Sequence, residues 1–175
     1  MSGYTLTKGE TRVPKKKYVI QVAGNSQYAK KPSPSLPIVN PVNGLASFGT
    51  FPPINSGGAV FVGGPIYLRY GRHVGVGHGW GFEHIWQARF PSCVDQPSAT
   101  AHVAGLVNSI LVPGASIHYE FVGMGSADRR SSVFRSRAGV LIVEERKDGN
   151  NNVFYSIVTA IQTQKVNGPK IGAIY

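Results

Sequence analysis

Across Pro113-Gly114 the apolar residues change from a helical to a strand repeat, and this change constrains the fold more than any other feature of the sequence. Upstream, Phe82, Trp86 and Phe90 recur at i, i+4 and i+8 with Ile85 beside them, which predicts a helix from Phe82 to Phe90. A second helix is predicted from an N-cap at Ser98 to about Val112, with Val103, Leu106, Val107, Ile110 and Leu111 as its core face. Downstream the period is two. Ser116–Val122, Ser131–Arg137, Val140–Arg146 and Val153–Ile161 read as strands, with Lys170–Ile174 as another. Asp148-Gly149 marks a hairpin turn. The expected class is therefore α+β, with two N-terminal helices packed on one face of a four- or five-stranded antiparallel sheet.

The first third of the chain reads differently. Residues 32–68 contain no charged residue and no histidine, and are rich in proline and glycine. They predict an extended connector in which only Ala59–Val62 joins a sheet edge. Order is expected to begin near Pro65, with Ile66–Tyr70 as a short strand. This divides the chain into a basic tail and connector, 1–64, and a folded domain, 65–175. The formal net charge is +10, which points to a polyanionic partner. The lysines concentrate in the first 31 residues, around a strand-like run at Tyr18–Val22, and the arginines in the body. Arginine suits fixed phosphate geometry, so the body is the place to seek a phosphate site.

Several residues can carry chemistry. His84, just inside the first helix and opposite its apolar stripe, is expected to face a cleft or solvent. Gly75, Gly77, Gly79 and Gly81 alternate before it, a turn that can bring backbone N–H groups to a phosphate. His73 and His78 flank that turn and can assist. Arg135 and Arg137 share one strand face as a possible phosphate clamp, whereas Arg129 and Arg130 read as edge protection. Tyr155, Ile157 and Thr159 share a face of the strand Val153–Ile161 and place a hydroxyl pair there. His102 reads as structural. With one cysteine, Cys93, neither an internal disulfide nor a multi-cysteine zinc site can form. The eight carboxylates include no pattern that suits a two-metal nuclease. No metal and no cofactor are expected.

The stretch GHGWGFEHIW (Gly77–Trp86) resembles a glycine-x-glycine-x-x-His-Ile element. GVLIVEERKDGNNNVFYSIVTAI (Gly139–Ile161) resembles a hairpin ending in a Tyr-x-(x)-Val-Thr-Ala strand. In this order and separation the two resemble the barnase/EndoU/colicin/RelE group of ribonucleases. They resemble in particular the toxin domains at the C-termini of contact-dependent growth inhibition proteins and other polymorphic toxins. The resemblance covers about residues 66–175. It implies the helix-then-sheet fold and metal-independent cleavage of RNA, usually tRNA, by 2′-OH attack that leaves a 2′,3′-cyclic phosphate. Carried over by position, the catalytic set is His84, Thr159, Arg135 and Tyr155, with Arg137, Arg89, His78 and Gly79 binding substrate. Arg89 stands about 140° round the helix from His84.

The resemblance further implies a monomeric toxin held 1:1 by a cognate immunity protein, acidic by charge complementarity. It would be exported within a larger toxin or by a delivery system, and would act in the target-cell cytoplasm. The segment itself carries no signal-peptide apolar region and no run long enough to span a membrane. Two other classes compete. A non-catalytic RNA-binding module predicts salt-sensitive binding without turnover. A virion or assembly protein with a basic arm predicts a stable homo-oligomer.

Overall fold

The computed structural model describes residues 31–56, 58–120 and 131–175. The expected strand at Tyr18–Val22, the lysines of the first 30 residues, and Arg129 and Arg130 lie outside the described residues. Residues 32–175 form one compact unit.

Its strands are β1 (Ser47–Phe51), β2 (Ile54–Ser56), β3 (Ala59–Phe61), β4 (Gly64–Tyr67), β5 (Arg72–Gly75) and β6 (His78–Trp80), then β7 (Ser116–Glu120), β8 (Ser131–Ser136), β9 (Gly139–Lys147), β10 (Val153–Ile161) and β11 (Lys170–Ala173). Between β6 and β7 come α1 (Gly81–Arg89) and α2 (Gln96–Ile110). The main sheet has seven strands in the order β1-β4-β10-β9-β8-β7-β11, and β2-β3 and β5-β6 form separate hairpins.

The expected class is corrected here. The two helices form, but the sheet is neither four- or five-stranded nor purely antiparallel. Among the described residues the fold is mostly β, with 42% strand against 18% helix, and the sheet is curled and mixed. The excess comes from the segment expected to be a connector. β1 pairs antiparallel with β4, and β4 runs parallel to β10 through Ile66↔Tyr155 and Tyr67↔Ser156. Isolated apolar residues among the prolines and glycines make these strands possible. Phe48, Phe51, Ile54, Ala59, Phe61 and Ile66 are all buried. The folded body thus begins well before Pro65.

Aromatic contacts show how the sheet curls. Phe51 on β1 lies 5.4 Å from Phe134 on β8, although three strands separate β1 from β8. Phe51 also stacks on Tyr155 of β10 at 4.0 Å. Ser136 shares the alternation of Phe134, and its Oγ donates to Ser109 O of α2. Tyr70, in phase with Ile66 and Leu68, meets Phe82 of α1 at 5.8 Å. The helices therefore close over this inner face, which holds Leu141, Val143, Ile157 and Ala160, all fully buried.

Local chemistry sets the element ends. α2 is capped by Asp95, whose carboxylate accepts from Ser98 N at 2.7 Å, with proline in the first turn. The expected cap, Ser98, is the residue that Asp95 caps. In the β9–β10 turn, Asp148 accepts from the backbone N–H groups of Asn150 and Asn152. The Asn152 side-chain amide, which donates to Asp148 Oδ2 at 3.1 Å, and then these backbone groups hold its carboxyl below the usual range.

Candidate functional site

Beyond Tyr67, β4 no longer pairs with β10, and the remaining edge of β10 is met by α1 and the β5–β6 hairpin. His84 lies here. It is 5% exposed, contrary to the cleft or solvent exposure expected from its place on α1. The β5–β6 hairpin supplies the cover. His73 of β5 stacks on His84 with ring centroids 5.5 Å apart and planes at 23°, and the two Nδ1 atoms are 3.3 Å apart. One ring must donate and the other accept, so the contact exists only while at least one Nδ1 is unprotonated. Burial, then the charge of His73, then that of Arg89, push the His84 pKa below the ordinary histidine value.

Two residues lock the hairpin onto the helix. Buried Glu83, in the first turn of α1, accepts from His73 N at 3.2 Å. Gly79, paired with His73, leaves room for the imidazole: a Cβ there would stand 2.7 Å from His84 Nδ1 and 2.4 Å from Arg72 O. The alternating glycines thus serve a hairpin that closes on a histidine, rather than an open turn wrapped round a phosphate.

Arg89 joins this group. Its Nε donates to Ala160 O on β10 at 3.3 Å, and its charge is felt at His84 despite its angular offset on the helix. Thr159, next to Ala160, is 8% exposed, and its Oγ1 has no hydrogen-bond partner among the described residues. The shared face expected for Tyr155 and Thr159 is corrected by a bulge. Ile157 pairs with Val143 but Thr159 with Ile142, so the phase of β10 shifts between them. Thr159 lies on the outer face in register with Ser156, while Tyr155 stays inside. There the Tyr155 hydroxyl donates to Val62 O at 2.5 Å, which makes it a core residue.

Arg135 and Arg137 are not brought to His84. Arg135 is exposed on β8, with β9 between that strand and β10. Arg137 lies in the β8–β9 turn, not on a strand face with Arg135, and its carbonyl accepts from Gln164. His78 is exposed near the hairpin tip. His102 is exposed on α2 and bonds Ser98 O through Nδ1 at 2.8 Å. That nitrogen lies 3.6 Å from Cys93 Sγ, but as a donor to the carbonyl it cannot take the thiol proton. No group of three or more metal-ligating side chains occurs among the described residues.

The outer face of β4, β10 and β9 carries a second group that the sequence reading missed. Tyr67 and Phe154 meet at 5.7 Å, and the Arg69 guanidinium lies 4.6 Å over the Trp80 ring and 5.3 Å over the Phe154 ring. Arg69 Nε donates to Ser156 Oγ at 2.9 Å. The alternation Ile66-Tyr67-Leu68-Arg69-Tyr70 held the available signal, since it sets Tyr67 and Arg69 opposite an apolar face.

No family model, no curated protein and no solved structure matches this chain. Among the described residues, no helix is long and apolar enough to cross a membrane.

Proposed function

We propose that this chain is a metal-independent endoribonuclease with tRNA as its substrate. The observation that carries the reading is the His73–His84 pair, set with Arg89 against the edge of β10. His84, held neutral near pH 7, takes the proton of a ribose 2′-OH. The 2′ oxygen then bonds to the adjacent phosphorus. Arg89 neutralises charge on the phosphorane, and Thr159 Oγ1 donates to one of its oxygens. The bond from phosphorus to the 5′ oxygen breaks, and that oxygen takes a proton from the imidazole pair. The products are a 2′,3′-cyclic phosphate and a 5′-OH. DNA, which lacks the nucleophile, survives.

The wider reading is an antibacterial toxin domain, delivered into a target cell and held 1:1 by an acidic immunity protein. Its support is the pair of resembling motifs and the charge of +10.

The test is incubation of total tRNA with the wild-type chain, His84→Ala and His73→Ala, each with and without EDTA, followed by gel separation and end-group analysis. Cleavage by wild type with cyclic-phosphate ends, and a loss of about 10²–10⁴-fold in His84→Ala, is the expected result. Intact RNA with folded wild-type protein, or cleavage that EDTA abolishes, overturns the reading.

A further inference from the structure

We infer that the outer face of β4, β10 and β9 is a nucleotide-binding subsite that stacks a base on Phe154 and Tyr67 and holds the neighbouring phosphate with Arg69. This inference rests on the reading that RNA is the substrate, but it concerns a different set of residues from the histidine pair.

The face is concave. A cleft of about 610 Å³ is lined by Tyr67, Arg69, Lys147, Asp148, Asn152 and Phe154 among others. That volume lies within the range of small-ligand sites and suits one nucleotide. Its floor is aromatic, with the Tyr67 and Phe154 rings tilted at 51° to each other, and every nucleobase has a π-face to lay on one of them.

The charges identify the other half of the ligand. Arg69 is half-buried, flanked by Trp80 and Phe154, and fixed by Ser156. Among the described residues no acceptor takes its terminal N–H groups. Burial, and then the charge of Arg146, push its pKa down, so its charge is costly to hold there. Glu144, whose charge acts on Arg69 in the opposite sense, is engaged by Arg146 at 2.6 Å, and Arg146 Nε is itself buried without a partner among the described residues. Arg69, Arg146 and Lys147 stand against Glu144 and Asp148, which leaves one positive charge unanswered. A planar donor group beside an aromatic floor matches a phosphate joined to a base. Asp148 and Asn152, also in the lining, are bonded to each other, the Asn152 amide donating to Asp148 Oδ2 at 3.1 Å. An aliphatic anion would leave the rings unused, and a neutral aromatic would leave Arg69 unanswered.

The experiment measures binding, not turnover. A fluorescein-labelled single-stranded 2′-O-methyl oligoribonucleotide of about ten nucleotides, within the usual site size, is titrated with the full chain. Its blocked 2′ oxygen cannot attack. Phe154→Ala is expected to weaken binding by about 5- to 150-fold, the range seen for one lost base stack. Arg69→Gln is expected to weaken it and lower the slope of log K against log salt by about one. Tyr67→Ala gives an independent route if Arg69→Gln fails to fold, as thermal unfolding will show. A parallel titration with a nucleoside monophosphate separates the two sources of the ligand. Competition sensitive to Phe154→Ala means that the site takes a free nucleotide. Binding by the oligonucleotide alone means that it reads a strand. Folded Phe154→Ala and Tyr67→Ala chains that bind like wild type overturn the inference. Loss of cleavage in the earlier assay with binding intact overturns the enzyme reading alone.

Discussion

Gly79→Ala tests whether the β5–β6 hairpin closes His84 into its site. The residue has φ of 141°, which side-chain-bearing residues rarely adopt. An added Cβ would meet Arg72 O at 2.4 Å and His84 Nδ1 at 2.7 Å. The backbone strain alone is about 1–3 kcal/mol. If the hairpin lifts to relieve it, the His73–His84 hydrogen bond is lost, at about 1 kcal/mol. A total of about 2–4 kcal/mol is expected, which lowers Tm by about 5–15 °C in a chain of this size. Urea unfolding measures the first quantity, and NMR titration of the imidazoles measures the consequence. With its cover lifted, the His84 pKa should rise toward 6.5. Gly75→Ala is the control, because its φ is not positive and nothing lies within 4 Å of its added Cβ. It should change stability by less than about 1 kcal/mol. If Gly79→Ala matched that control and left His84 titrating as in wild type, the packing argument would be refuted.

Three further outcomes follow from the same geometry. An unfolded His84 protonates near 6.5 and the folded one at lower pH, so the unfolded state binds more protons between those values. Its contribution to stability is complete above 6.5 and is lost as pH falls through the folded value, and urea midpoints across that window should flatten in His84→Gln. Thr159→Val replaces a buried, unpartnered hydroxyl by a methyl, so unfolding free energy should rise by about 1 kcal/mol while RNA cleavage falls. An equal drop in stability would show that the hydroxyl already has a partner. Tyr155→Phe removes the donor to Val62 O and should cost about 1 kcal/mol with the cleavage rate unchanged; a selective loss of rate would return Tyr155 to the site.

The helices were legible because their apolar stripes decide them. Phe82, Ile85 and Trp86 are buried on α1, as are Val103, Leu106, Val107 and Ile110 on α2. The hairpin at Asp148-Gly149 was legible from turn chemistry. Ala59–Val62 and Ile66–Tyr70 were read as strands and overlap β3 and β4, but β1 and β2 were not legible, because a strand of three to five residues between prolines and glycines shows no period. The partner of β4 is also remote: Ile66 pairs with Tyr155. The bulge at Ile157–Thr159 was equally hidden, because a strict period of two keeps phase through it. His84 stood out by its place on α1, but its exposure was misjudged. Position on a helix says nothing about a hairpin that folds back from the preceding residues. Tyr67, Arg69 and Phe154 were overlooked because the site is assembled across strands from both ends of the chain.

The parallel pairing of β4 with β10 has a consequence for how the chain comes to its fold. As it is synthesised, the hairpin of β1 and β4 emerges early, yet the strand that must lie beside it is the last but one to appear. Phe51 then has neither Phe134 nor Tyr155 to rest against. Closing so long a loop is slow. The N-terminal strands therefore wait as a sticky, unshielded edge until β10 arrives, and a ribosome-bound chain truncated before Val153 should be the species that chaperones hold most firmly.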